Sequence, residues 1–185
     1  EELPYFILGN GSNLLVSDKG YRGVIIQLYR NFSNISVEGN EICASSGALL
    51  SQIAAAARNA SLTGFEFAGG IPGTLGGAVF MNAGAYGGEL QDVLKAAVVM
   101  TEQGEILTLP VEKLDMGYRT SRIKKAGYLV LEARLVLEQG DMDKIRDTTK
   151  DLTEKRVSKQ PLEYPSAGST FKRPEGYFAG KLIMD

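Results

Sequence analysis

Eight of the 22 glycines in this 185-residue chain fall between residues 68 and 88, in the run AGGIPGTLGGAVFMNAGAYGG. Glycine packs no side chain and loses more conformational freedom on folding than any other residue. Such a cluster makes physical sense where backbone must come close to a ligand or to another backbone. Flexible linkers combine Ser, Gly and charge without an interleaved apolar set. Here the glycines are interleaved with Ile71, Pro72, Val79, Phe80, Met81 and Tyr86, and no charged residue occurs before Glu89. The run therefore reads as a packed, contact-making segment.

Composition narrows the classes of function. With 44% hydrophobic and 23% charged residues the chain is ordinary globular material, long enough for one core or two lobes. A net charge of -2 gives no general attraction for nucleic acid or an acidic membrane surface. The longest apolar stretches, residues 53–57 and 96–100, fall far short of the roughly 18 to 20 residues needed to span a bilayer. There is no histidine, which removes the commonest general base and metal ligand, and no Cys/His cluster that could hold zinc. The single Cys43 has no partner for an internal disulfide and reads as a structural thiol of a reducing compartment. The chain lacks an initiator Met and closes inside a helical pattern at 180–185, so it reads as a fragment, and the lack of a signal peptide says little.

Residues 5–8 form a short apolar run of strand character, followed at once by Gly9, Asn10, Gly11, Ser12 and Asn13. Successive backbone N–H groups in such a turn can cradle an anion, and small side chains let diphosphate oxygens come close. A plain strand-end turn is the alternative. The segment matches neither the dinucleotide fingerprint nor the Walker pattern, because Leu14 stands where a third glycine would fall and no Gly-Lys-Ser/Thr follows. Strands are expected at 24–27, 35–37 and 41–44, the last two joined by Gly39-Asn40. Helical spacing of Leu49, Ile53, Ala56, Ala57 and Ala60 predicts a helix over 48–59. Strands at 96–101 and 105–109 flank Gln103-Gly104, a long strand covers 128–138, and a surface helix covers 141–157, closed before Pro161. The mixed order, richer in strands than helices, argues for an α+β layout rather than repeated βαβ units.

Two further segments carry chemistry. Tyr118-Arg119-Thr120-Ser121 lies in an unpatterned stretch, where a lone Arg serves as a surface ion-pair former or as a catalytic cation. Residues 164–174, YPSAGSTFKRP, place small residues before an aromatic and two cations. Ser169 there is a turn serine or a reacting group. Without His no hydrolase triad can be assembled from this chain.

In this order, GNGSN, GGIPGTLGGAVFMNAGAYGGE, YRTS and SAGSTFKRP resemble the MurB family of UDP-N-acetylenolpyruvoylglucosamine reductases, flavoenzymes of cell-wall precursor synthesis, over essentially the whole chain. KQPLEYPSAGS is similar to the subgroup without an extra substrate-closing loop. The resemblance implies an FAD-binding fold of the vanillyl-alcohol-oxidase (PCMH) type. Residues 1–29 would be the remainder of a first flavin-gripping lobe, 30–163 the second lobe, and 164–185 the start of a substrate-binding domain. It implies bound FAD, NADPH as co-substrate, a small-molecule UDP-sugar substrate, no nucleic-acid or membrane partner, and a cytoplasmic location. By motif, Gly9, Asn10, Gly11, Ser12 and Asn13 match the diphosphate turn. Gly70, Ile71, Pro72, Gly73, Thr74, Gly76, Gly77, Asn82, Ala83, Gly84, Ala85 and Tyr86 match the segment that wraps the rest of the cofactor. Arg119 matches the arginine that stabilises enolate-like charge, and Ser169 the serine that donates a proton to the carbon beside the one receiving hydride. Tyr118, Lys159 and Arg173 are expected substrate contacts, and no metal is implied. The family's third catalytic group, a glutamate, matches no residue here, so the fragment is expected to bind flavin poorly and not to complete turnover. Another flavoenzyme of the same fold, and a nucleotide-binding module without redox activity, are the alternative readings.

Overall fold

A computed structural model describes residues 3–158, 160, 163 and 171–184. At the N-terminal side β1 (Tyr5–Leu8) and β2 (Val24–Gln27) pair in parallel, joined by a connection without a helix. β3 (Ile35–Glu38) and β4 (Glu41–Ser45) form the hairpin expected around Gly39, whose φ of +60° suits the tight turn. α1 (Leu50–Asn59) follows, with Leu50, Ile53 and Ala57 buried along one stripe. It starts two residues later than the periodicity predicts, because Leu49 stays extended and pairs with Thr74 in an antiparallel bridge.

β5 (Leu62–Thr63) leads through a 3-10 turn at Glu66–Ala68 into the glycine-rich run, part of which is α2 (Leu75–Met81). Sequence periodicity did not reveal α2. Gly76 and Gly77 each cost about 1 kcal/mol of helix propensity relative to Ala, and burial of Leu75, Ala78 and Val79 supplies the compensation. The short strands β6 (Gly84–Ala85) and β7 (Gly88–Glu89) make a small hairpin. β8 (Leu94–Met100) and β9 (Ile106–Pro110) make the hairpin expected around Gly104. α3 (Arg122–Ala126) fills the stretch that carried no pattern, ending on Gly127 at φ +67°. β10 (Leu129–Val136) and β11 (Glu138–Gln139) divide the single long strand expected there, β11 leaving the main sheet to pair with β5. α4 (Met142–Ser158) and α5 (Ala179–Met184) close the described chain.

The central sheet is antiparallel in the order β3-β4-β10-β8-β9. Its inner positions are Ile42 and Ala44, then Ala133 and Leu135, then Leu94, Ala97 and Val99, all buried. α1 and α2 pack against β4, and α2 also covers β10. Register shifts at Val130/Glu132 and Arg134/Leu135 break the β10–β8 ladder, the mark of bulges that bend the sheet. The layout is α+β, with the short parallel β1–β2 ribbon set apart from the main sheet. Among the described residues no helix is long and apolar enough to cross a membrane.

Cys43 lies on the outer side of β4, half-buried beside Glu132 and Arg134 of β10. Burial, then the hydrogen bond and negative charge of Glu132, pushes the thiol up from 9.0 to about 11, with Arg134 pulling the other way. Because the folded chain holds this proton more tightly than the unfolded one, the associated stability is complete below pH 9 and is lost as pH rises towards 11. At pH 8 the folded protein should therefore react with iodoacetamide roughly 100-fold more slowly than the urea-unfolded protein. Mass spectrometry of timed quenches checks this, and equal rates would refute it.

Candidate functional site

A cleft of about 210 Å³ opens between the Gly/Asn/Ser turn after β1 and the start of α2. Gly9, Asn10, Gly11, Ser12 and Asn13 line one side; Ile71, Pro72, Gly73, Thr74, Gly77 and Ala83 line the other. The two walls touch. Ser12 Oγ donates to the carbonyl of Pro72, Asn13 Nδ2 lies 3.9 Å from Met81 Sδ, and a Cβ added at Gly9 would overlap Thr74 Oγ1. Gln27 steadies the turn from β2, its Nε2 donating to Gly9 O at 3.1 Å. Gly11 takes φ +73°, a conformation that side-chain-bearing residues rarely adopt.

Among the described residues, no protein acceptor receives the backbone N–H groups of residues 9–13. A row of free donors on a glycine turn fits the oxygens of a diphosphate. Opposite it, Ile71, Pro72, Phe80 and Met81 offer apolar surface suited to flat rings. At about 210 Å³ the cleft is smaller than the roughly 300 to 1,000 Å³ usual for ligand pockets, so it would embrace part of a dinucleotide and leave the rest along the open surface. A larger hollow of about 600 Å³ beside residues 27–32 is walled by that one segment alone, which brings no groups together from different elements.

The glycine-rich segment does not act as one wall. Gly76 faces away from the cleft: its N–H donates to Ser46 O at 2.8 Å, and a Cβ there would meet Ser46 Cβ at 2.8 Å. Asn82 is fully buried, with its side-chain amide bonded to Glu89, Gly117 and Gln91. Gly84 and Ala85 form β6, and Gly84 lies against Gly88 O so closely that a Cβ would come within 2.7 Å. Gly70 and Tyr86 line a separate groove of about 150 Å³ with α1 and α4, where Arg156 lies over Gly70. The wrapping segment is thus split between cleft, core, hairpin and second groove, because a helix and a turn intervene between residues adjacent in sequence. Phe6, Leu8, Leu50, Phe80 and Met81 also line the cleft. Phe80 and Met81 follow Gly77 at helical offsets of three and four, the signal that could have found them.

Arg119 sits at φ +56° in a tight turn closed by reciprocal backbone bonds between Gly117 and Thr120, both 3.1 Å. Its guanidinium donates from Nη1 to Asn82 O at 3.3 Å and from Nη2 to Gly84 O at 3.0 Å, bracketing Ala83 of the cleft wall. Among the described residues no carboxylate lies within salt-bridge distance of it. The cation is therefore held by carbonyl dipoles with its charge uncancelled, which departs from an ordinary surface ion pair. Tyr118 packs its ring under Arg119, 5.1 Å from Cζ, and Lys172 Nζ lies 5.7 Å from the same ring. Arg173 instead turns inward on its own segment, donating to Tyr177 O and lying over Phe178. Lys159 and Ser169 lie outside the described residues.

The profile of a family described as FAD binding domain matches residues 1–110. The chain belongs to the FAD binding domain family. Proteins named UDP-N-acetylenolpyruvoylglucosamine reductase are similar over its whole length: 56% identical over 184 residues in Alkaliphilus oremlandii and 60% in Clostridium botulinum, each match covering 100% of this chain and 60% of the relative. The chain thus spans about 60% of the length of the curated relatives it matches. The crystal structure of UDP-N-acetylenolpyruvylglucosamine reductase (MurB) from Thermus caldophilus aligns with TM-score 0.86 at 37% identity, covering 99% of this chain and 66% of that one. The PCMH-type FAD-binding fold and the resemblance read from the motifs both stand.

If Gly9 is glycine because the two walls must touch, Gly9→Ala should push the turn off α2 and weaken flavin retention about tenfold or more, and Gly9→Ala/Thr74→Ala should restore most of it. Equilibrium dialysis of FAD against both variants in the full-length protein checks this; a double variant no better than the single would refute the steric account.

Proposed function

We propose that this chain carries the flavin-gripping part of a UDP-N-acetylenolpyruvoylglucosamine reductase, which reduces an enolpyruvyl UDP-sugar with NADPH as the electron source. The observation that carries the reading is the cleft between the residue 9–13 turn and the start of α2, with the uncancelled charge of Arg119 anchored on the carbonyls either side of Ala83. In this reading the free N–H groups of residues 9–13 bind diphosphate, and Ile71, Pro72 and the apolar side of α2 flank the adjoining parts of FAD. Held by the residue 9–13 turn and the opposite wall at residues 71–74, FAD would supply two-electron redox chemistry between NADPH and the enolpyruvyl group.

Arg119 would stabilise the negative charge that develops on the enolate-like substrate, a role for which a cation already held in place needs no reorganisation. Ser169 would deliver the proton to the neighbouring carbon. A serine is a weak acid, so this role needs a strongly basic carbon centre and nearby cations to stabilise the alkoxide, with Lys159, Lys172 and Arg173 as candidates. Tyr118, Lys159 and Arg173 would contact substrate. Residues 1–29 would complete a first lobe, 30–163 form the second, and 164–185 begin the substrate domain; the first of these boundaries is supported by β1–β2 lying in a sheet of its own.

The full-length protein should show the visible absorption bands of bound flavin. Arg119→Ala should keep those bands and its rate of reduction by NADPH, while reoxidation by the enolpyruvyl substrate slows by about 10²- to 10³-fold. Stopped-flow absorbance of the two half-reactions reads both rates. A colourless full-length protein, or an Arg119→Ala enzyme with normal reoxidation, would overturn the assignment.

A further inference from the structure

Three partly buried polar contacts converge on the turn that carries Arg119. Asn82, fully buried at the C-terminal end of α2, donates from Nδ2 to Gly117 O at 3.3 Å and to Glu89 Oε2 at 2.9 Å. Its Oδ1 accepts from Gln91 N at 3.0 Å, and its own carbonyl receives Arg119 Nη1. At the other end of the turn Ser121, also fully buried, donates from Oγ to Phe80 O at 2.7 Å. Both ends of the turn are thereby tied to the last residues of the helix that forms one cleft wall.

We propose that Asn82 and Ser121 are positioning residues for Arg119, pinning the turn between Gly117 and Thr120 to α2 so that the guanidinium keeps one direction relative to the cleft. This rests on the reading of Arg119 given above. Helix capping alone does not account for Asn82. Its φ of +46° is a left-handed cap that glycine fills without burying an amide, and the side chain bonds not to the helix end but across to β7, the residue 91 backbone and the Arg119 turn. Burying an amide and a hydroxyl is costly unless every group is paired, and once paired they hold one geometry. The turn needs such pins. Arg119 itself occupies a left-handed conformation, which persists only where surrounding contacts enforce it.

The test uses Asn82→Gly, which preserves the left-handed backbone while deleting the amide, and Ser121→Ala, both in the full-length protein. Amide hydrogen exchange at Gly117, Thr120 and Arg122 should quicken roughly tenfold in each, the effect of one lost buried hydrogen bond, with β4 and β10 unchanged. Reoxidation by the enolpyruvyl substrate should slow roughly tenfold, reduction by NADPH should stay within about twofold, and Asn82→Gly/Arg119→Ala should be no slower than Arg119→Ala alone. If Asn82→Gly does not fold, Ser121→Ala carries the same expectations. Unchanged exchange at the turn, half-reactions that fall in step, or additive rates in the double variant would overturn the proposal. Normal reoxidation in Arg119→Ala would overturn the reading of Arg119 instead, while exchange at the turn would still decide whether the pins exist.

Discussion

The site depends on a close approach of backbone to backbone where the glycine-rich run crosses the end of β4. Gly76 N–H donates to Ser46 O, Leu75 N–H to Ala48 O, and Leu50 N–H to Gly73 O. These bonds draw the first turns of α1 and α2 together and close off backbone groups that burial would otherwise leave unpaired. A side chain at position 76 would occupy the space of Ser46. With α2 seated there, its outer side presents Gly77, Phe80 and Met81 to the residue 9–13 turn, and its C-terminal end reaches the Arg119 turn. Cleft wall and cation thus share one support.

Left-handed backbone is concentrated around that support. Of the non-glycine residues with positive φ, Asn82, Tyr86 and Arg119 lie within the same stretch of structure, at +46°, +55° and +56°. Strained conformations of this kind cost on the order of 1 to 3 kcal/mol each and survive only where packing and hydrogen bonds over-determine them. The carbonyls of Asn82 and Gly84 hold the guanidinium, Glu89 and Gln91 hold Asn82, and the ring of Tyr118 supports the cation. Such a network fixes the direction of the guanidinium, and among the described residues no carboxylate lies within salt-bridge distance to neutralise it.

Much of the architecture was legible because its signals are local. Gly39 and Gly104 mark two hairpins, alternation marks the strands of the central sheet, and the apolar stripe of α1 survives averaging over its length. α2 escaped because its two glycines and short length hide a periodicity that only burial makes favourable. α3 escaped for a similar reason, although Ser121 before it and Gly127 after it are start and stop signals. Among the expected cofactor residues, the turn at 9–13 and residues 71–74 line one cleft, whereas Gly76 packs against Ser46 and the side chain of Asn82 is buried.

From the sequence alone came the α+β class, the hairpins, the family resemblance and the identity of two glycine-rich segments made for close approach. These follow from propensities and spacings that act over a few residues. Tertiary structure alone decided which glycines line the cleft and which face another backbone, that carbonyls and, among the described residues, no carboxylate hold Arg119, and that Asn82 spans from helix to turn. Those outcomes depend on contacts between residues some 30 to 60 positions apart, such as Asn82 with Gly117 and Ser12 with Pro72. Direction in space is set by packing, and no local pattern of residues encodes it.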